Sequence, residues 1–105
     1  MKSISVEELQ AWRNDGTEHT LIDIREPYER EVGHLDGMHI PMAEVMSRLS
    51  DIPDHHPVVI HCRSGARSSA VTHSLETQAG FDNVYNLDGG IAAWAQRIDP
   101  SVEVG

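Results

Sequence analysis

The 105-residue sequence holds a single cysteine, Cys62, in the stretch VVIHCRSGARSSA (residues 58–70). An apolar run ends at it, and a cluster of Ser, Gly and Arg begins. A free thiol in such a place is either a small buried hydrophobe or a nucleophile, reactive as the thiolate. The neighbours favour the nucleophile. A helix expected to begin just behind the loop presents backbone N–H groups that lack intrahelical partners and carry partial positive charge. Gly65 allows the loop to curl so that successive amides point inward as an anion nest. Arg63 and Arg67 supply forked donors suited to an oxyanion such as a sulfonate or thiosulfate. Ser64 and Ser68 add polar donors, and Ser68 is also a natural N-cap for the helix that follows.

The elements that must position this loop are legible from periodicity and punctuation. VVIH (58–61) is a near-continuous apolar run, the mark of a strand buried on both faces of a parallel sheet. A helix is expected over Ser68–Ala79, with Val71, Leu75 and Ala79 on one side and Gly80 as its stop. Upstream, Ser5 and Glu8 form a capping box for a helix over Ser5–Arg13. TLIDI (20–24) reads as a strand, EPYEREV as a short helix ended by Gly33, and MHI as a brief extended segment. Met42, Val45, Met46 and Leu49 fall at the spacing of an amphipathic α-helix, which puts Met42 and Met46 in the core. NVYNL is a further strand, Ile91–Ile98 a last helix carrying Trp94, and residues 99–105 read as a flexible tail. Alternating strands and helices predict one α/β domain with a mainly parallel sheet and right-handed crossovers.

Composition narrows the function. Seventeen acidic against eight basic residues give a formal charge of −9, which disfavours nucleic acid and anionic lipid as partners. No apolar run reaches the roughly 20 residues of a membrane span, and the opening MKSISVEELQ has no secretory h-region, so a cytoplasmic protein is expected. One cysteine excludes an internal disulfide and a multi-thiolate zinc site. The seven histidines lack HxxxH or HExxH spacing, and no metal or cofactor is expected. The adjacent pair His55–His56 is read as a solvated turn.

CRSGARS resembles the active-site loop of rhodanese-like sulfurtransferases, and the likeness extends along the chain. LIDIREPYEREVGHLDGMHIP (21–41) and GFDNVYNLDGGIAAW (80–94) are similar to that family's two other signature segments, with Met38 where alanine is usual. The resemblance implies about five mainly parallel strands flanked by helices on both faces. It further implies that Cys62 accepts a sulfane sulfur from a small donor such as thiosulfate and passes it, as a persulfide, to cyanide, a thiol or a protein acceptor. The loop amides of Arg63, Ser64, Gly65, Ala66 and Arg67 would hold the anionic sulfur, with Arg63 and Arg67 drawing in the donor's sulfite group, unless Arg63 points outward.

Two alternatives stand beside this reading. One is a noncatalytic or sulfur-carrier module that serves a partner protein. The other is a cysteine phosphatase or arsenate reductase, whose loop is C-x5-R. Here the count from Cys62 to Arg67 is C-x4-R, a tighter ring that suits a terminal sulfur better than a phosphate. Asp23 and Arg25 are expected to pair with each other or with backbone, and His34 to make a turn hydrogen bond. His61 is expected to point away from the Cys62 side and pack.

Overall fold

The computed structural model describes residues 1–105. Five strands form one sheet: β1 (Lys2–Ile4), β2 (Thr20–Asp23), β3 (Met38–His39), β4 (Val58–His61) and β5 (Val84–Leu87), in the order β1-β5-β4-β2-β3. Every neighbouring pair runs parallel. Four α-helices accompany them, three between strands and the last after β5: α1 (Val6–Asp15), α2 (Pro27–Val32), α3 (Ala66–Thr77) and α4 (Gly90–Arg97). No helix is long and apolar enough to cross a membrane.

Burial explains the continuous apolar run of β4. All four of its residues are inaccessible, because side chains alternate between two cores. Val58 and Ile60 join Ile22, Val71 and Leu75 under α3, while Val59 joins Leu9, Leu87, Ile91 and Trp94 under α1 and α4. The central strand therefore has no solvent face, and its C-terminal end delivers Cys62 at the edge where open α/β sheets place their ligands. The capping box at Ser5 is present: Ser5 Oγ accepts from the Glu8 N–H, and Glu8 Oε1 accepts from the Ser5 N–H, both at 3.1 Å.

Three expectations need correction, and one strand has no counterpart in the sequence reading. Strand β1 has no apolar alternation of its own and exists through its pairing with β5, Lys2 opposite Tyr85 and Ile4 opposite Leu87. The Met42–Leu49 segment is two 3₁₀ helices, Met42–Ser47 and Leu49–Asp51, rather than one α-helix. At three residues per turn the i, i+3, i+4, i+7 set no longer shares a face: Val45 is buried, but Met42 and Met46 are exposed. Helix α3 begins at Ala66 with Gly65 as its N-cap, so Ser68 lies inside the first turn. Residues 99–105 make contacts with the rest of the domain. Val102 and Val104 pack against the α1/α4 core, and the Gly105 carbonyl accepts from Arg63 Nε. The PDHHP turn is not simply solvated, because pairing of β2 with β4 brings it against Glu18. His56 Nδ1 lies 3.1 Å from Glu18 Oε1, and its Nε2 2.7 Å from Thr20 Oγ1.

Behind the sheet's C-terminal edge lies a buried charged cluster. Arg25 is fully enclosed and pairs with Asp23 through Nε (3.0 Å to Oδ1) and Nη2 (2.9 Å to Oδ2), and Nη2 also donates to the Gly33 carbonyl at 2.7 Å. These bonds join the end of β2 to the end of α2. Removing one partner of such a pair costs about 3–5 kcal/mol. Burial raises the Asp23 carboxyl, but Arg25's hydrogen bonds outweigh it and hold it below the usual carboxylate range.

His61, opposite Asp23 in the β2–β4 register, is buried, and its Nε2 meets no protein partner. Desolvation lowers its pKa from 6.5 to about 4. The unfolded chain therefore takes up this proton first as pH falls, and stability is lost between pH 6.5 and 4. At 1.36 kcal/mol per pH unit the loss is about 3 kcal/mol. Urea unfolding at pH 7 and pH 4.5 should show this slope in the native sequence and a flatter one in His61→Leu. An equal slope in both proteins would assign it to other groups.

Candidate active site

The site is the turn from β4 into α3. Gly65 takes φ +101°, a left-handed conformation open to glycine, and this reverses the chain around the Cys62 side chain. The Gly65 N–H donates to Cys62 Sγ at 3.1 Å. From the first turn of α3, the Ser68 N–H and Oγ both lie 3.4 Å from the same sulfur. The Ser64 amide also favours the anionic form of the sulfur. Sγ thus occupies the position of an anion at a helix N-terminus.

The back of the loop is held by α4. Ile91 N–H donates to the Cys62 carbonyl at 3.0 Å and Ala92 N–H to the Arg63 carbonyl at 2.9 Å. This approach needs Gly90, where a Cβ would sit 2.6 Å from both carbonyl oxygens. The loop's carbonyls are consequently turned outward into α4 while its N–H groups face the sulfur. One side-chain bridge completes the frame: Ser68 Oγ lies 2.5 Å from Asn86 Oδ1 at the end of β5. The single hydroxyl proton faces two acceptors. Asn86 Oδ1 is the shorter contact, and a thiolate competes for the proton better than a neutral thiol does.

Electrostatics follow from this geometry. Cys62 is 1 % exposed, and burial raises its pKa. The hydrogen bonds from Ser68, Gly65 and Ser64 outweigh burial, leaving the thiol below its ordinary value. The arrangement can therefore hold an anionic sulfur in a nearly dry setting. Ser64 and Ala66 are exposed at the rim. The two arginines do not converge on Sγ. Arg63 is exposed, with Nε committed to the Gly105 carbonyl. Arg67 is half-exposed and paired end-on with Glu29 of α2, Nη1–Oε1 2.7 Å and Nη2–Oε2 2.9 Å.

Glu29, Asn86 and Gly90 belong to this site and were not singled out from the sequence. Only Gly90 carried a local signal, in the DGG triplet. His34 is exposed, and His61 faces the Asp23 cluster. The one grouping with metal-ligand chemistry is remote: Glu18, His55 and His56 bring ligand atoms within 4.8 Å of one another. They precede β2 and β4, at the end of the sheet opposite Cys62.

The sequence matches the family model for the rhodanese-like domain over residues 5–97. It is 41% identical over 103 residues to a sulfurtransferase of Allochromatium vinosum, covering 97% of this chain and 95% of that one. It is 34% identical to the probable adenylyltransferase/sulfurtransferase MoeZ of Mycobacterium tuberculosis, over 95% of this chain but only 26% of that protein's length. The chain thus spans about a quarter of that relative. The crystal structure of a rhodanese-like domain protein from Staphylococcus aureus superposes with a TM-score of 0.85 at 29% identity, covering 100% of this chain and 99% of that one.

Ser68→Ala deletes one donor to the thiolate and leaves the backbone donors in place. The pH profile of Cys62 alkylation by iodoacetamide should therefore shift to higher pH in this variant. A profile unchanged from the native one would show that the hydroxyl proton stays with Asn86 and contributes nothing to the sulfur.

Proposed function

We propose, from the premise that this chain belongs to the rhodanese-like domain family, that it is a sulfurtransferase working through a persulfide on Cys62. The observation that carries the reading is the ring of donors on Sγ, from the Gly65 and Ser68 amides and the Ser68 hydroxyl. A thiolate so held is an activated nucleophile that needs no separate base.

In the first half-reaction the Cys62 thiolate attacks the sulfane sulfur of a donor of the thiosulfate type. A Cys62 S–S bond forms, the donor's S–S bond breaks, and sulfite departs with the electron pair. The charge of −3 is unchanged, because thiolate plus thiosulfate becomes persulfide anion plus sulfite dianion. In the second half-reaction cyanide or a thiolate, free or on a protein, attacks the outer persulfide sulfur. Thiocyanate or a new persulfide forms, and the Cys62 thiolate returns. The amides that solvate Sγ are the groups available to a terminal sulfur one bond further out. Arg63 and Arg67 lie on the rim, Arg63 exposed and Arg67 paired with Glu29. The single cysteine and the thiolate chemistry both suit a reducing, cytoplasmic setting.

The C-x4-R ring supports sulfur over phosphorus. It is one residue shorter than the C-x5-R loop of cysteine phosphatases, and a transferring phosphoryl group requires donors around its equatorial oxygens.

Incubation with thiosulfate should add about 32 Da, one sulfur atom, to the native protein and nothing to Cys62→Ser by intact-mass spectrometry. Absence of the adduct in the native protein would remove the proposal. Aryl-phosphate hydrolysis that disappears in Cys62→Ser would replace it with a phosphatase. An adduct that forms but is released only to one protein thiol would mark a carrier.

A further inference from the structure

Arg67 is the basic residue that closes the Cys62 loop, and its charge and a Cys62 thiolate attract each other. It sits in the first turn of α3 with its two terminal nitrogens engaged by both oxygens of Glu29. Glu29 in turn is fixed. Its side chain is 9% exposed, and Oε1 also accepts from the Glu26 N–H at 3.1 Å in the capping box that begins α2. The hydrogen bonds from Arg67 hold the Glu29 carboxyl at about 2 despite partial burial. The carboxylate is accordingly ionised throughout any pH range in which the protein works. A permanent negative charge thus lies beside the positive charge expected to receive the donor. The end-on pairing leaves the guanidinium's Nε–H edge uncommitted.

We propose that Glu29 is a specificity-determining residue: its carboxylate cancels the charge of Arg67 beside the Cys62 loop, so that the site prefers singly charged sulfane-sulfur donors to doubly charged ones. The inference rests on the reading of Cys62 as the sulfur-accepting thiol. To clamp a sulfite group end-on, Arg67 would have to exchange one bidentate anion pair for another, with little net gain. A donor that binds without that exchange approaches a neutral pair, and the second charge of thiosulfate gains nothing there. A thiosulfonate, R–SO2–S⁻, carries the same sulfane sulfur with one charge fewer. Its transfer balances similarly: the Cys62 S–S bond forms, the donor's S–S bond breaks, and the sulfinate leaves with the electron pair. Arg63 does not restore the lost attraction, since it is exposed to screening solvent.

The test compares kcat/KM for thiosulfate with kcat/KM for methanethiosulfonate, with cyanide as acceptor. Glu29→Gln keeps the shape and removes the charge, and it should raise the thiosulfate-to-thiosulfonate ratio roughly 5-fold at low salt. The gain should shrink as ionic strength rises. Glu29→Asp keeps the charge and should leave the ratio within about twofold of native, whatever it does to either rate alone. If Glu29→Gln does not fold, Glu29→Met removes the charge on a side chain of similar length, and the same ratio is read from it. A merely structural role would lower both values together and leave the ratio untouched, which overturns the role of Glu29 while the sulfurtransferase reading stands. Failure of both donors to load the native protein overturns both.

Discussion

A buried anionic sulfur needs donors, and the rest of the site exists to point them at it. Sγ of Cys62 is removed from water and receives the Gly65 and Ser68 amides instead. That exchange succeeds only if the amides are fixed before the charge appears, since amides that had to reorient would cost what water no longer supplies. The fixing is visible on every side. A left-handed Gly65 turns the loop inward, α3 supplies its unpaired N-terminal amides, and α4 takes the loop's carbonyls. The parallel sheet matters because it ends β4 and β5 side by side, which brings Asn86 under Ser68.

Charge is handled differently from sulfur. The Asp23–Arg25 pair and the Glu29–Arg67 pair both tie α2 to the sheet's C-terminal edge, one below the surface and one at it. The first is enclosed, and its value is architectural: it joins β2 to the Gly33 carbonyl at the far end of α2. The second lies beside the thiol, where the balance of charge is felt by whatever approaches. On a chain of net charge −9, a neutralised arginine at the entrance leaves little long-range pull on anions. Recognition at this mouth is therefore short-range, through shape and the few free N–H donors.

The central strand, the Cys62 loop and the helix behind it were legible because their signals are local. VVIH has no polar face to hide, and a glycine between two arginines marks the turn. The Asp23–Arg25 pair was legible for the same reason, two residues apart on one strand end. What the sequence withheld is non-local. Strand β1 is defined by its partner β5, more than eighty residues away. Glu29 meets Arg67 across 38 residues, and neither side chain announces the other. Ser68 carried a misleading local signal: its N-cap propensity was plain, but Gly65 already ended the loop, and the hydroxyl was directed to sulfur and Asn86. The 3₁₀ geometry of Met42–Ser47 was hidden because apolar spacing alone does not separate 3.0 from 3.6 residues per turn over so short a stretch.

The two hydrogen bonds from α4 to the Cys62 loop carry a consequence in time. During synthesis the thiol emerges long before residues 86–92, and until they arrive nothing holds the Cys62 and Arg63 carbonyls outward. The carbonyls that must face away from the sulfur are thus anchored only once Ile91 and Ala92 have joined the fold.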